Sequence, residues 1–469
     1  MIVVLWANNR LFFLTQVLGF MNITRQYPLL LLALRAMSLF FLLIRYSLGS
    51  LLLGLFRLIS PKLRLRARQE RDSLKKLSSD TVFEKWYHCS SEGEFEQIWP
   101  AVQRALKDQS GNQLIWFTSP SLFKKAEFVN SEYEKIQMVL LPLVSLFPGP
   151  KHPLRMVAPK AFFMVRYDFF VELIFIGSLK VERFILLGAT FKAKISSLLK
   201  NPLKRAFAKS LYASFDEIYF STQKDLDFFK GNLSRRQEQN LFNHDFRHGQ
   251  ILARQNNQEN VDKTHCLESF KVLVDKFEFS DRLIFGSMWA KELTLFNNDF
   301  VEALRNEECF VLIAPHLLKG QEWDNFNSWM HSMQEQGLKA VLWDHVGIHG
   351  EGNIILCQQP GLLCELYPFF AHSFVGGGHG RSVHSLLEPF WGGGHIYCGP
   401  KVMRSTEHDF VVESSPAHMH IVVELKDFYD NFKTKRLFPL DRGIREELAS
   451  QVLINQENTL NSFCSKNRI

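Results

Sequence analysis

Three glutamates follow the first apolar run of the folded part of the chain, in the segment WYHCSSEGEFEQ. A carboxylate at such a strand-to-helix turn can act as a general base, removing the proton of a hydroxyl as it attacks an activated carbon. Ser91 and Glu94 also have the S-x-x-E spacing of a capping box, which would give both a structural role. The same spacing recurs at Ser385 and Glu388. The local pattern therefore leaves two interpretations of Glu94 open, a catalytic base and a helix cap.

Segment 374–400, FVGGGHGRSVHSLLEPFWGGGHIYCGP, predicts an anion site. A short apolar run leads into a triple glycine and then into a helix expected to open between His384 and Glu388. Glycine lets backbone N–H groups approach an anion, and a helix N-terminus adds partial positive charge. Similar turns occur in α/β proteins without a ligand, and the segment matches neither GxGxxG nor GxxxxGK[ST]. A nucleotide-linked substrate is therefore one of two open interpretations, the other being a turn without a ligand.

Two further loops carry groups that suit the same chemistry. Arg166 and Asp168 follow an apolar run, where the arginine could meet an anion and the aspartate could position an acceptor or the base. His316 follows another apolar run and could face a nucleotide phosphate. A solvated strand end and a satisfied loop histidine explain these residues equally well.

Patterns typical of metal ligands are weak in this chain. Asp225 and Asp227 imitate a DxD motif but lie in an amphipathic helical pattern, which favours surface charges. His345 and His349 lack the glutamate of HExxH. The seven cysteines form no CxxC pair, which favours reduced thiols in a reducing compartment. We therefore expect no metal and no cofactor.

The N-terminal region predicts a membrane anchor. Residues 28–59 are almost wholly apolar, although three arginines interrupt them, and a basic run follows: Lys62, Arg64, Arg66 and Arg68. Such a segment either spans the bilayer or lies in its interface, with arginines reaching the headgroups. The basic flank keeps the rest of the chain cytoplasmic by the positive-inside tendency. The net charge of +7 fits an anionic lipid or membrane face and is too diffuse to predict nucleic-acid binding.

The remaining chain alternates short apolar runs with longer helical patterns, which is typical of parallel α/β sheets. A length of 469 residues favours two such domains. The expected strands are 83–88, 114–118, 137–141, 161–165, 184–187 and 217–220, then 283–287, 310–314, 340–343, 354–357, 373–375 and 396–397. The expected divisions are an anchor with its basic flank at 1–75, Rossmann-like domains at 76–264 and 265–436, and a helical tail at 437–469. Residues 231–264 are polar and predict a linker or a surface insertion.

Taken together, these segments resemble the Kdo (3-deoxy-D-manno-octulosonic acid) transferases of lipopolysaccharide synthesis. HCSSEGE is similar to that family's H-x-x-S-x-G-E turn, and FGSMWAKE is similar to its G-S-T-W-x-x-E segment. The resemblance extends, in order, through FTSPS, RYDFF, HDFRHGQI (the family's linker strand), IAPH and LYPFFAHSFVGGGHGRSVHSLLEP. It implies a GT-B fold, in which two Rossmann-like domains face each other across a cleft, here with an N-terminal membrane anchor.

The resemblance also implies a reaction and its residues. Kdo would pass from CMP-Kdo to a lipid A precursor, lipid IVA, at the cytoplasmic face of the inner membrane, with inversion and without a metal. The 76–264 domain would bind the acceptor, and the 265–436 domain would bind the CMP-sugar. Glu94 would be the general base, and Asp168 would stand where the family has a second carboxylate. The implied donor-binding residues are Gly376, Gly377, Gly378, His384, Ser385, Glu388 and His316, and the implied acceptor-binding residues are Arg166, Ser91 and Gly93.

Two other functions remain open at this stage. A GT-B transferase for another nucleotide sugar would be expected to need different base contacts around 314–319 and 358–362. A membrane-associated homologue that has lost catalysis would fit Gln358 and Asp168, where the family has aspartate and glutamate. Retention of Glu94 and Glu388 favours an active enzyme.

Overall fold

The chain forms two α/β units. The computed structural model describes residues 40, 44, 48–77, 81–108, 111–142, 151–166, 169–191, 200–233, 240–257, 267–347, 352–403, 405–438, 440 and 443–465. The first unit comprises Met1–Phe246 with Ser462–Ile469, and the second comprises Arg247–Asn461. The sequence predicts the boundary between the two domains at residue 264, because the polar stretch 231–264 is typical of a linker or a surface insertion. In the structure this stretch contains a strand and an amphipathic helix that buries Ile251 and Leu252.

The first unit contains a seven-stranded parallel sheet in the order β3-β2-β1-β4-β5-β6-β7. Its strands are β1 (Phe83–Cys89), β2 (Asn112–Phe117), β3 (Ile136–Leu140), β4 (Ala161–Val165), β5 (Arg183–Ala189), β6 (Glu217–Phe220) and β7 (Leu241–Asn243). The chain builds outward from β1 to β3 and then returns to the other side of β1 with β4. The loops after β1 and β4 therefore flank the point where the strand order reverses, which is the usual ligand position in such sheets.

The second unit also contains a seven-stranded parallel sheet, in the order β10-β11-β9-β8-β12-β13-β14. Its strands are β8 (Arg282–Met288), β9 (Phe310–Pro315), β10 (Ala340–Leu342), β11 (Ile354–Leu356), β12 (His372–Val375), β13 (His395–Cys398) and β14 (Met419–Ile421). Here the order reverses between β8 and β12, so the loops after these two strands define the second candidate position.

Helices connect the strands. Those before residue 247 are Ser50–Ile59, Pro61–Lys76, Glu92–Lys107, Phe123–Glu132, Val171–Lys180, Pro202–Tyr212 and Gln223–Asn232. Those after it are Arg247–Asn257, Leu267–Val274, Asn298–Arg305, Gly320–Glu335, Leu363–Leu366, Leu387–Gly392, Thr406–Ser414, Phe428–Arg436 and Gly443–Ser465. Short 3₁₀ turns occur at Pro120–Leu122, Phe279–Asp281, Ala290–Leu295, Trp343–His345, Tyr367–Phe369, Pro416–His418 and Leu425–Asp427.

Both faces of the second sheet are buried. Along β8, Leu283 and Phe285 belong to one hydrophobic cluster, whereas Ile284 belongs to another. Because successive side chains of a strand point to opposite faces, each face has its own core. This explains why the strands appear in the sequence as continuous apolar runs and could be predicted from it. The twelve expected strands are confirmed, with ends that differ by at most two residues.

The part of the predicted anchor that is described forms two helices, Ser50–Ile59 and Pro61–Lys76. Leu55, Leu58 and Ile59 are exposed on the first helix. Within the described ranges, none of the helices combines the length and apolar character that a bilayer crossing requires. Most of the apolar stretch before residue 48 lies outside the described residues.

Arg66 differs from the other residues of the predicted basic flank, because it binds the first unit. Its guanidinium donates to the carbonyl oxygens of Thr118 at 2.6 Å and Leu141 at 2.9 Å, and to the carboxylate of Glu70 at 2.9 Å. Lys62, Arg64 and Arg68 remain exposed. Arg66 therefore ties its helix to loops that follow β2 and β3, while the other three basic residues face solvent.

Candidate active site

Glu94 lies in the first turn of the helix Glu92–Lys107, directly after β1. The Ser91 hydroxyl accepts the backbone N–H of Glu94 at 3.4 Å, as a capping box predicts. The Glu94 carboxylate, however, accepts the N–H of Ser90 at 2.6 Å, one residue before the cap. Ser91 thus caps the helix, whereas the Glu94 carboxylate binds the backbone directly after β1.

The carboxylate of Glu94 is buried although it belongs to a surface turn. Only 7% of the residue is exposed, whereas Glu92 on the same turn is exposed. Burial, and then the negative charge of Glu94, raise the pKa of the Cys89 thiol well above its usual range, so the carboxylate lies close to that sulfur. A carboxylate at this sheet edge is compatible with the general-base role that the resemblance implies.

Space for a ligand is present beside Glu94. A Cβ atom added to Gly93 would meet no atom within 4 Å, so no close contact in the protein requires glycine at this position. Gly93 and Ser91 are both exposed. The helix N-terminus therefore presents open space on the side where the sequence predicted acceptor-binding residues.

Arg166 lies at the same edge of the sheet because β1 and β4 are adjacent and parallel. Its backbone is left-handed, with a φ of 56°, which is costly for a residue other than glycine and is often found at functional sites. The backbone N–H of Arg166 binds the carbonyl of Leu187 at 2.8 Å, and the Gln97 amide oxygen can accept its guanidinium at 3.3 Å. Asp168, the predicted second carboxylate, lies outside the described residues.

A cavity of about 290 Å³ lies in the first unit, near the loop that Arg166 begins. It is lined by Arg66, Leu141, Pro142, His152, Phe170 and others. Burial lowers the pKa of His152 to about 4, so this ring is neutral at pH 7. With Arg66 bound to backbone carbonyls and Glu70, the lining suits an apolar ligand segment better than an anion.

In the second unit, two of the three amides of the triple glycine bind acceptors within the protein. The N–H of Gly376 binds the carbonyl of Gly286, and the N–H of Gly377 binds the buried carboxylate of Glu292, both at 2.9 Å. A Cβ added to Gly376 would approach the Ser287 oxygen to 2.3 Å, and one added to Gly378 would approach Gly399 to 2.6 Å. The glycines thus allow close packing of loops, and their contact with a donor stays a prediction.

The helix that the sequence predicts to begin between His384 and Glu388 begins at Leu387. Its first N–H groups also bind a carboxylate of the protein. The N–H groups of Leu386 and Leu387 bind the carboxylate of Glu407 at 2.7 and 3.4 Å. Glu407 in turn forms an ion pair with Arg247. Neither Ser385 nor Glu388 caps this helix, so the second S-x-x-E spacing does not form a capping box.

Glu388 is half-buried in the first turn of the same helix. Its backbone carbonyl accepts the side-chain amide of Gln255 at 2.8 Å. Its negative charge stabilises the positive charge of Arg254. Arg254 also binds Glu365 through two hydrogen bonds of 2.9 Å. Glu388 therefore lies within a charged network of the second unit, and its predicted contact with the donor ribose stays a prediction.

Three aromatic rings meet where β9, β8 and β12 end side by side. His316 stacks on His384 with ring centroids 4.0 Å apart, and Trp289 lies 4.8 Å from His316. The indole N–H of Trp289 donates to Nε2 of His384 at 3.1 Å. Burial and the neighbouring His316 lower the pKa of His384 to about 4, so this ring is neutral at pH 7. The structure thus brings together two predicted donor-binding histidines that are 68 positions apart in the sequence.

Two lysines border the glycine segment. Lys291 donates to the carbonyl of His379 at 3.2 Å, and Lys401 donates to the carbonyl of Gly380 at 2.6 Å. Both lysines are exposed, as is Arg381 between them. The cluster creates positive potential at the edge of the sheet, which attracts an anionic substrate.

The metal-like DxD motif proves to be structural. Asp225 is buried, and its carboxylate accepts the N–H of Phe191 at 2.7 Å and the hydroxyl of Thr222 at 2.8 Å. The prediction of a surface charge was therefore wrong for Asp225. Asp227 binds the Gln223 amide at 2.8 Å in an exposed position. Within the residues that the structure covers, no cluster of three or more potential metal ligands occurs.

Comparison with known proteins indicates which family the chain resembles. Residues 62–242 match the family model for 3-deoxy-D-manno-octulosonic-acid transferase (kdotransferase). Over 318 residues the chain is 25% identical to the 3-deoxy-D-manno-octulosonic acid transferase of Aquifex aeolicus strain VF5, an alignment that covers 67% of this chain and 75% of that protein. The resemblance to the Kdo transferases is confirmed. The region matched to this family includes the predicted base Glu94.

The fold also matches that of a solved structure. The chain superposes on UDP-GlcNAc 2-epimerase from Neisseria meningitidis with a TM-score of 0.51 and 10% identity, covering 80% of this chain and 99% of that one. The C-terminal CMP-Kdo binding domain of WaaA from Acinetobacter baumannii matches with a TM-score of 0.31 and 17% identity, covering 40% of this chain and 95% of that domain. The first likeness shows the fold alone. The chain thus consists of two parallel-sheet α/β units, a fold that it shares with that epimerase.

Some residues of the candidate site in the second unit were not predicted from the sequence. Trp289 and Glu292 occur in the segment FGSMWAKE, whose spacing pointed to the family but not to their contacts. The sequence does not indicate that Glu407 is a helix cap, because the helix that it caps begins 20 positions earlier. A carboxylate in a surface helix becomes visible as a cap only when the fold brings the two segments together.

Proposed function

We propose that this protein transfers Kdo from CMP-Kdo to a lipid A precursor, lipid IVA, in lipopolysaccharide core synthesis. The observation that carries the proposal is the buried carboxylate of Glu94 at the sheet edge, within the region matched to the Kdo transferases. The open space at Gly93 and the apolar cavity lined by Phe170 support an amphipathic acceptor.

Each group has a defined part in this reaction. Glu94 takes the proton of the attacking sugar hydroxyl, and that oxygen forms a bond to the anomeric carbon of Kdo. The bond from this carbon to the phosphate oxygen breaks, and CMP leaves with the electron pair. Attack from the face opposite the leaving group inverts the anomeric centre. In this proposal no metal takes part, since Lys291, Lys401 and the neighbouring donors attract the leaving phosphate.

The reaction would take place at the cytoplasmic face of the inner membrane. The exposed apolar side of the helix Ser50–Ile59 supports contact with the bilayer, and the exposed Lys62, Arg64 and Arg68 suit anionic headgroups. Arg66 holds the adjoining helix on the first unit, so membrane contact would keep the acceptor domain beside its lipid.

A transfer assay with matched variants tests the proposal. Full-length protein receives CMP-Kdo, generated in situ, and purified lipid IVA, and product is followed by mass spectrometry. Glu94→Gln is compared with Glu92→Gln, which makes the same change on an exposed neighbour of the same turn. We expect a loss of at least about a hundredfold for Glu94→Gln and little change for Glu92→Gln.

Two outcomes would overturn the proposal. Absence of product from folded wild-type protein that binds CMP would leave binding without turnover, as in an inactive homologue. Transfer from UDP-GlcNAc or another nucleotide sugar in place of CMP-Kdo would identify a different GT-B transferase. Equal activity of Glu94→Gln and Glu92→Gln would remove Glu94 from the role of base while leaving the reaction in place.

A further inference from the structure

The tautomer of His384 is fixed by Trp289. An indole N–H can only donate a hydrogen bond, so Nε2 of His384, which it contacts at 3.1 Å, must accept. A neutral imidazole carries one N–H, and an accepting Nε2 leaves that hydrogen on Nδ1. Because burial and the neighbouring His316 lower the pKa of His384 to about 4, the neutral form dominates at pH 7.

The Nδ1–H group of His384 is then available to a ligand. Nδ1 makes no hydrogen bond to the residues that the structure describes, and the residue is only half-buried. The Nε2 edge is turned toward Gly377, since a Cβ added there would lie 3.1 Å from Nε2. His316 stacks on the ring at 4.0 Å and restricts its rotation.

Several backbone donors at this edge are used within the protein. Gly376 and Gly377 donate to Gly286 and Glu292, and the helix N-terminus donates to Glu407. Side chains at the end of β12 can therefore supply donors for an anion in place of these amides. The Nδ1–H of His384 and the hydroxyl of Ser385, which has no hydrogen-bond partner among the described residues, are adjacent in the chain and suited to this task.

We propose that Trp289 is a positioning residue that holds His384 as the Nδ1–H tautomer, so that this N–H binds the phosphate of the CMP donor. The proposal rests on the proposed function for the identity of the ligand. Trp289 would touch neither the phosphate nor the reacting carbon. It would act by excluding the Nε2–H tautomer, which would present a lone pair at Nδ1 and repel an anion.

NMR on the full-length protein tests the tautomer directly. Histidine ring nitrogens are labelled with ¹⁵N, and the His384 signals are assigned by their loss in His384→Gln. In wild-type protein without ligand we expect the proton on Nδ1 and a bare Nε2, and the Nδ1–H signal should shift when CMP is added. This measurement needs no Trp289 variant and no turnover.

Trp289→Phe then removes the fixing donor, and Trp329→Phe is the matched control, since Trp329 packs on Phe296 in the same unit. We expect Trp289→Phe to give a mixture of tautomers and to weaken CMP binding about tenfold, the upper effect of one neutral hydrogen bond. The control should keep the wild-type tautomer and affinity.

A proton on Nε2 of His384 in the wild type would overturn the proposal. So would an Nδ1–H signal that CMP leaves unchanged, or a Trp289→Phe protein that keeps the wild-type tautomer. If CMP shifts the signal but no Kdo is transferred, the proposed function fails while this inference stands.

Discussion

Glu292 accepts the backbone N–H of Gly377 at 2.9 Å through a carboxylate with no exposed surface. Its second oxygen accepts the N–H of Trp289, also at 2.9 Å. The loop after β8 and the loop after β12 are therefore joined by one side chain at the point where the strand order of the second sheet reverses. Glu292 fixes the position of Trp289, and through it the orientation of His384.

Glu292→Ala should lower both stability and nucleotide affinity. The substitution leaves two N–H groups without their acceptor, and each such buried donor costs about 1 to 3 kcal/mol. Urea unfolding should show the loss in free energy of unfolding, and calorimetry should show weaker CMP binding. Glu302→Ala, on the exposed face of the helix Asn298–Arg305, is the control and should change neither. Unchanged CMP affinity in a destabilised Glu292→Ala protein would separate this contact from donor binding.

Gly93→Ala should weaken the binding of the acceptor while preserving the fold. Both Gly93 and Gly231 lie in helices, and an added Cβ meets no atom within 4 Å at either site. Alanine should therefore stabilise the protein by up to about 1 kcal/mol at both positions. If the open space at Gly93 receives the acceptor, only Gly93→Ala should raise the KM for lipid IVA, whereas the KM for CMP-Kdo should remain. Equal lipid kinetics in the two variants would contradict an acceptor at Gly93.

Arg66→Ala should detach the helix Pro61–Lys76 from the first unit. The variant leaves the carbonyls of Thr118 and Leu141 without the guanidinium, which should cost about 2 kcal/mol of unfolding free energy. Arg68→Ala changes the same residue type on the exposed side of this helix and should cost less than about 0.5 kcal/mol. Thermal unfolding compares the two. Equal Tm values would show that the contacts of Arg66 contribute little to the attachment.

The apolar face of the helix Ser50–Ile59 should bind membranes. Leu58 and Ile59 are 74% and 78% exposed, and replacing both with asparagine should reduce co-sedimentation of the full chain with anionic phospholipid vesicles at least about fivefold. Val423 and Leu437 are similarly exposed at 64% and 75% in the second unit, and their double asparagine variant is the control. A similar loss in both variants would indicate nonspecific hydrophobic adhesion.

The contrast between predicted and missed features has a physical cause. Strands such as β4 and β6 appear at the predicted ends because buried parallel strands are continuous apolar runs. The strands β7 and β14 have three residues each and mostly half-buried side chains, so they leave no such run. The cap at Ser91 could be predicted because the S-x-x-E spacing is local, whereas the catalytic role of Glu94 stays a prediction.

The hydrogen-bond partners of the glycine segment could not be predicted from the sequence, for the opposite reason. The glycine pattern indicates backbone freedom, but whether an N–H faces a ligand or a protein carboxylate depends on tertiary contacts. Here Glu292 and Glu407 occupy the amides of Gly377 and Leu386. A single sequence shows these acids only as surface-type residues, so their competition with a phosphate appears only in the folded chain.

A histidine cluster in the second unit predicts acid sensitivity. His395 contacts His420 through ring nitrogens 2.9 Å apart, and the ring of His372 stacks 5.1 Å from that of His395. Burial is the main cause that lowers the pKa of His372 and His420 to about 3 and that of His418 to about 4. The nearby cations Lys435, Arg436 and Arg445 act in the same direction.

Stability should therefore fall as the pH drops below about 6.5, because the unfolded chain then binds protons that the folded cluster excludes. Each such ring should cost about 1 to 2 kcal/mol between pH 7 and pH 5. The free energy of unfolding, measured in urea across this range, should vary less steeply with pH in His372→Gln, since glutamine does not titrate. His331→Gln, on the exposed side of the helix Gly320–Glu335, should keep the wild-type slope. A slope unaffected by His372→Gln would place the acid sensitivity outside this cluster.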